Sequence, residues 1–202
     1  MQLLFILAHE ALSMAELTSY LEAEGFTYRI VARSRHTTIL STSHMDCSAT
    51  ARRLGGCYKV GEVLCSVGDG ESWGSIVEAL ESTRPYGDLC EKASWGVSMY
   101  DEGGVDRKFV ESVELYLSER LKREGWGRTK RIVGRRGGSF GAEAYEVPSE
   151  DVERRSMIHE GFELLITHIA DKYYFAKTCG VMDHRGFRER DGVDSDERGE
   201  RR

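Results

Sequence analysis

The succession of apolar runs and breakers over residues 3–67 limits what this chain can fold into more than any other feature. Residues 3–8 form a short apolar run suited to a buried strand, and Ser13-Met14-Ala15-Glu16 has the form of a capping box, with Leu12 and Leu17 placed as its hydrophobic staple. A helix is therefore expected from about Ser13, with Leu17, Tyr20 and Leu21 on one face and Gly25 as its stop. Residues 28–32 and 37–41 follow as two strands joined by the polar turn at residues 33–36. A short helix capped near Asp46 runs to Leu54 and ends at Gly55-Gly56, after which residues 57–67 are again strand-like. The order β, α, β, β, α, β is that of the split βαβ, ferredoxin-like arrangement, which fits in about seventy residues.

Residues 69–80 read as a further helix with Trp73, Ile76, Val77 and Leu80 on one side, and residues 81–92, with Pro85, Gly87 and several charges, are the best internal boundary. Beyond it, residues 93–100 are strand-like and Asp106 can cap a helix whose Phe109, Val113, Tyr116, Leu117 and Leu121 share a face, with Gly125 ending it. Ile132-Val133 is a short strand candidate cut off by Gly134, residues 134–141 read as loop, and Pro148 and Ser149 open another helix reaching Arg155. Residues 162–169 and 173–182 form a hairpin about Ala170, Asp171 and Lys172. The expected class is α+β: a ferredoxin-like domain over 1–80, a linker over 81–92, a second α/β domain over 93–182, and a tail over 183–202. That tail holds thirteen charged side chains of mixed sign, which is the composition of a disordered interdomain linker.

Charge narrows the partners. The net charge of −6 would ordinarily count against nucleic acid, yet residues 119–138 carry eight basic residues against two acidic ones, a local +6 that leaves −12 on the remainder. The eight are Arg120, Lys122, Arg123, Arg128, Lys130, Arg131, Arg135 and Arg136, and they read either as a solvated face or as a phosphate-binding surface. Five cysteines with wide, irregular spacing argue against a disulfide framework and for reduced thiols. There is no run of eighteen apolar residues and no signal-peptide pattern at the start, so no membrane partner is expected and the cytoplasm is the expected location.

Catalytic motifs are weak. Gly137-Gly138-Ser139-Phe140-Gly141 matches a nucleophile elbow in letters only, because it lacks the buried strand before and the helix after. Gly68, Asp69, Gly70 and Gly74 lie between a strand and a helix, but their spacing is neither a dinucleotide fingerprint nor a P-loop, and a tight turn is the better reading. His44 and Cys47 have no second close pair to complete a zinc site, and His168 inside an apolar strand reads as a half-buried residue rather than a ligand. Only two prolines occur, Pro85 and Pro148, so an amino-methyltransferase motif with adjacent prolines is absent. No catalytic and no metal-binding residues are expected.

Several segments together resemble one family. The opening strand and helix (residues 5–21), the stretch Ala51-Arg52-Arg53-Leu54-Gly55-Gly56-Cys57-Tyr58-Lys59-Val60-Gly61-Glu62-Val63, the segment Trp95-Gly96-Val97-Ser98-Met99-Tyr100, and Ala176-Lys177-Thr178-Cys179-Gly180-Val181-Met182-Asp183 with Arg190-Asp191 look like the N-terminal half of archaeal-type tRNA guanosine-10 N2-methyltransferases. The resemblance covers nearly all of the chain. It implies a ferredoxin-like domain followed by a THUMP domain, with the S-adenosylmethionine-binding Rossmann-like domain expected only beyond the charged linker, so that no cofactor belongs to these residues. The implied function is a tRNA-binding module that positions the acceptor end of tRNA for a methyltransferase domain, on a separate polypeptide or otherwise outside this stretch. The basic island would contact phosphates, with Lys172 and Lys177 on the hairpin as secondary contacts. Tyr173, Tyr174 and Phe175 are either base-stacking side chains or core residues. The other reading is a non-catalytic protein–protein adaptor for an RNA-modifying enzyme.

Overall fold

The computed structural model describes residues 1–87, 89–90, 92–136 and 143–183. The glycine-rich segment 137–141 and almost all of the charged tail lie outside them. The elements are β1 (Gln2–Leu7), α1 (Glu10–Ala23), β2 (Tyr28–Arg33), β3 (Thr37–Thr42), α2 (Cys47–Arg53), β4 (Cys57–Gly68), α3 (Trp73–Thr83), β5 (Ser94–Tyr100), α4 (Arg107–Arg123), β6 (Lys130–Ile132), β7 (Arg135–Arg136), β8 (Ala144–Glu146), α5 (Ser149–Arg154), β9 (Phe162–Ile169) and β10 (Lys172–Val181). The class is mixed α/β. All ten strands join one sheet in the order β2-β3-β1-β4-β10-β9-β5-β8-β7, with β6 on β5.

The twelve-residue β4 makes that continuity possible. Its first half pairs antiparallel with β1, from Leu7↔Cys57 to Leu3↔Glu62, while its whole length runs along β10, from Val181↔Lys59 to Lys172↔Gly68. Strands β9, β5 and β6 are parallel neighbours, each reached through a helical crossover, whereas β8 returns antiparallel on the far end of β5. The sheet curls until its two halves meet. Leu4, Ile6 and Ile39 of the first half pack with Leu165, Ile169 and Tyr100 of the second, and the Thr37 and Thr167 hydroxyls lie 3.1 Å apart although four strand pairings separate them. On the outside of one half, α1 and α2 cover Leu3, Phe5 and Val60; on the outside of the other, α3 and α4 cover Val97, Phe162, Leu164, Ile166 and Phe175. Each fully buried side chain of this size stabilises the fold by roughly 1.5–3 kcal/mol.

Between the two halves lies a polar network with no access to water. Lys59 and Glu163 are both fully buried and their Nζ and Oε1 atoms are 2.5 Å apart. Lys59 Nζ also donates to the Val147 carbonyl at 2.5 Å, Ser98 donates to Glu163 Oε1 at 2.5 Å, and Thr178 donates to Oε2 at 2.7 Å. Ser98 Oγ in turn accepts the Val147 N–H at 2.8 Å. One contact each from β4, β10, β9 and β5 therefore crosses four adjacent strands. Removing one partner of such a pair leaves a bare charge in a dry interior, which is far costlier than never having had the pair.

Four local expectations are corrected. Helix α1 starts at Glu10, three residues before Ser13, because the Ser13 hydroxyl accepts the His9 N–H at 3.0 Å and the Glu16 carboxylate turns away from the cap to accept the N–H groups of Gly55 and Gly56 at 2.7 and 2.8 Å. Leu12 is consequently 72% exposed and forms no staple. Helix α3 starts at Trp73 rather than Asp69, since Ser72 supplies the cap by accepting the Ser75 N–H. Arg135-Arg136, read as loop, is an edge strand paired with β8. Finally, Cys47 and Cys179 form a disulfide across α2 and β10 with Cα atoms 5.5 Å apart, contrary to the expectation of five reduced thiols. Their 132-residue separation hid the pair, and Gly180, where a Cβ would collide with the Cys47 carbonyl, lets α2 approach closely enough.

We expect Lys59→Met to lower the free energy of unfolding by about 3–5 kcal/mol, and Lys59→Met/Glu163→Leu to recover a large part of that loss. Urea unfolding of the three proteins measures both. A single-variant cost below about 1 kcal/mol would contradict the network.

Candidate nucleic-acid interface

Helix α4 sets the position of the basic island. Asp106 caps it by accepting the N–H groups of Lys108 and Phe109, and Val110, Val113, Leu117 and Leu121 bury one face against the sheet. That burial leaves Lys122 and Arg123 outward in the last turn, where cations also complement the helix dipole. Gly125, with φ of +89°, then reverses the chain in the left-handed region that glycine tolerates, and Trp126 folds back with its N–H on the Leu121 carbonyl at 2.8 Å. The chain enters β6 beside β5 and crosses the ring of Tyr145 at Gly134, where a Cβ would sit 2.6 Å from that ring. It continues as β7 along the outer edge.

All eight basic residues thus lie on one continuous course: the end of α4, the turn, and two edge strands. They are not equivalent. Arg120 is tied to neighbours, its Nε donating to Tyr86 Oη at 3.2 Å and lying 3.1 Å from Glu124 Oε1, with Glu81 at 3.7 Å from the guanidinium, so it fastens α4 to α3 and its connection. Arg123 faces Glu119 at 3.9 Å, an exposed pair of little energetic weight. Arg131 reaches Glu114 at 3.3 Å. Arg128 is exposed and engaged with a neighbour. Lys122, Lys130, Arg135 and Arg136 are exposed and make no ion pair among the described residues.

The structure does not bring Lys172 and Lys177 to this course. Both lie on β10, separated from β5 by β9; Lys172 is exposed at the hairpin end and Lys177 is half-buried in mid-strand. Of the three hairpin aromatics, Tyr174 and Phe175 are core residues, and Tyr173 is stacked between His168 at 4.6 Å and Phe109 at 4.9 Å. His168 is half-buried, with ring nitrogens 3.5 Å from Asp69 and 3.7 Å from Asp101. Residues 68–72 make the turn into α3, held by the Asp69 N–H on the Asp171 carbonyl. Among the described residues no helix is long and apolar enough to cross a membrane.

Sequence reasoning missed two residues that shape this surface. Glu114 is 4% exposed on α4 and accepts both the Arg131 guanidinium and the Tyr145 hydroxyl, each at 3.3 Å. Burial holds its carboxyl above the usual range, with Arg131 and Tyr145 opposing that shift. Trp126 is half-buried beside Lys122; its place directly after Gly125 was the available signal, because the second residue past a glycine-stopped helix commonly packs back on the last turn.

No family model matches this sequence, and no curated protein does so either. Solved structures do. Over 88% of its length the chain is similar to TrmN from Thermus thermophilus, at 15% identity and a TM-score of 0.53, covering 45% of that chain. Over 88% it is similar to a predicted N6-adenine-specific DNA methylase from Listeria monocytogenes, at 12% identity and a TM-score of 0.50, covering 40% of that chain. The likeness is one of fold. The chain spans less than half the length of either protein.

Because the folded pKa of Glu114 is raised, its contribution to stability is full below the unfolded carboxylate pKa near 4.5 and is lost as pH rises through the higher folded value. Glu114→Gln should therefore flatten the fall in melting temperature as pH rises from about 4.5 through that folded value; unchanged pH dependence would show that the carboxyl titrates normally.

Proposed function

We propose that this chain is the tRNA-binding module of a tRNA (guanine-N2) methyltransferase, holding the acceptor end of tRNA for a methyltransferase domain outside these 202 residues. The observation that carries the reading is the strip formed by α4, β6 and β7, where Lys122, Lys130, Arg135 and Arg136 are exposed and make no ion pair among the described residues of an otherwise acidic protein. Phosphates along an RNA backbone are anions that such a run of cations suits, and contacts of this kind set position and register without reading sequence.

Two further observations support it. The order β2-β3-β1-β4, antiparallel throughout with α1 and α2 on one face, supports the ferredoxin-like part of the reading, in which residues 93–182 would be the THUMP-like part. A protein that shares the fold is described as a predicted N6-adenine-specific DNA methylase, and the matched region is less than half of it. In this reading S-adenosylmethionine belongs to the separate catalytic domain, the chain works in the cytoplasm, and the strip presents the RNA to that domain.

Binding through four phosphate contacts should give a slope of log affinity against log salt of about −3 to −4, and Arg135→Glu/Arg136→Glu should weaken tRNA binding more than tenfold and reduce the slope by about 2. Gel-shift titrations of tRNA at several salt concentrations read both quantities. An absence of tRNA binding at low salt in the wild type would remove the RNA reading and leave the adaptor reading in its place.

A further inference from the structure

Beside the basic strip, a partly open cleft of about 70 Å³ lies between the end of α4 and the start of β6. Trp95 and Trp126 line it together with Lys122, Arg131, Ser118 and Thr129. Its walls are fixed. Trp95 is buried and stacked on Phe162 at 6.0 Å, and the backbone of Trp126 is held on three sides, its N–H on Leu121 and its carbonyl accepting the Thr129 N–H at 3.1 Å and hydroxyl at 2.9 Å. Packing against the core under α3 and α4 explains why Trp126 is half-buried, and Lys122, Arg131 and Ser118 line the same cleft beside it.

Size decides the class of ligand. Sites that enclose a free small molecule measure roughly 300–1,000 Å³, several times this cleft, so a whole nucleotide cofactor does not fit within it. A flat group laid across the mouth does fit, provided that contacts on either side keep it there, and an unpaired base in a strand whose phosphates run along the cations is such a group. Arg131 uses part of its guanidinium on Glu114 and has further N–H donors to offer, and Lys122 makes no ion pair among the described residues.

We infer that this cleft is a stacking site for one unpaired RNA base, with Trp126 as the platform and Lys122 and Arg131 holding its flanking phosphates. The inference rests on the RNA reading above and deepens it: the strip grips the backbone, whereas the cleft requires a single-stranded nucleotide. Duplex RNA, whose bases are stacked on one another, leaves it empty.

The test is a titration of the full chain with a single-stranded oligoadenylate of eight nucleotides, read by tryptophan emission, with a blunt RNA duplex and tRNA bound in parallel gel shifts. The expected result is quenching by the oligoadenylate that disappears in Trp126→Phe, and binding at least fivefold weaker in Trp126→Ala and in Ser118→Tyr, which blocks the mouth without removing the indole. Duplex binding by both variants should stay within about twofold of wild type. Oligoadenylate binding unchanged in Ser118→Tyr and in folded Trp126→Ala, while wild type still shifts tRNA, overturns the stacking site and leaves the RNA reading intact. Failure of wild type to bind any of the three RNAs overturns both.

Discussion

The buried Lys59–Glu163 pair is the constraint on which the rest of the structure depends. Taking two charges out of water costs several kcal/mol each, and that cost is offset only if every remaining donor and acceptor is used. Here the partners come from across the molecule: Lys59 lies in the first antiparallel unit, Glu163, Ser98 and Thr178 lie in the second half of the sheet, and the Val147 backbone closes the ring. An apolar pair would hold the two halves together in many registers. A satisfied ionic network holds them in one, because a slip by one residue turns each side chain to the other face.

That network also governs the candidate interface. Both polar groups of the Val147 backbone are committed to it, and Val147 directly follows β8, whose Tyr145 and Glu146 pair with Arg136 and Arg135. Tyr145 supports Gly134 from below and shares Glu114 with Arg131. Position therefore passes from the buried pair to β8, and from β8 to the edge strands that display the cations. Exposed arginines on a free loop would lose conformational entropy on meeting an anion; on paired strands, part of that loss has already occurred during folding.

Much of the fold could be read from the chain because local signals and tertiary demands agree there. The alternation of runs and breakers over residues 28–68, Asp46 and Asp106 as helix caps, and the hairpin about Ala170 and Asp171 all occur as their side chains dictate. The misses share a different cause, in that a distant partner decided the outcome. Glu16 fits a capping box, but two amides in the Gly55-Gly56 turn attract it more strongly. Cys47 and Cys179 are joined only because α2 lies on β10. Arg135-Arg136 looks like loop because a two-residue strand has no periodicity of its own and exists only against β8. The site divides in the same way. Its basic residues were visible as a charge run, while their inequality, with Arg120 and Arg131 tied to carboxylates and Lys122 and Arg135 unpaired among the described residues, depends on Glu81, Glu124 and Glu114 folding beside them.

Amide hydrogen exchange of the chain with and without bound tRNA tests the location of the interface most directly, because each part of the surface reports separately. The account predicts slowed exchange in peptides covering residues 118–136 and little change in α1 and α2. Protection centred on α1 and α2, with residues 118–136 unaffected, would contradict it.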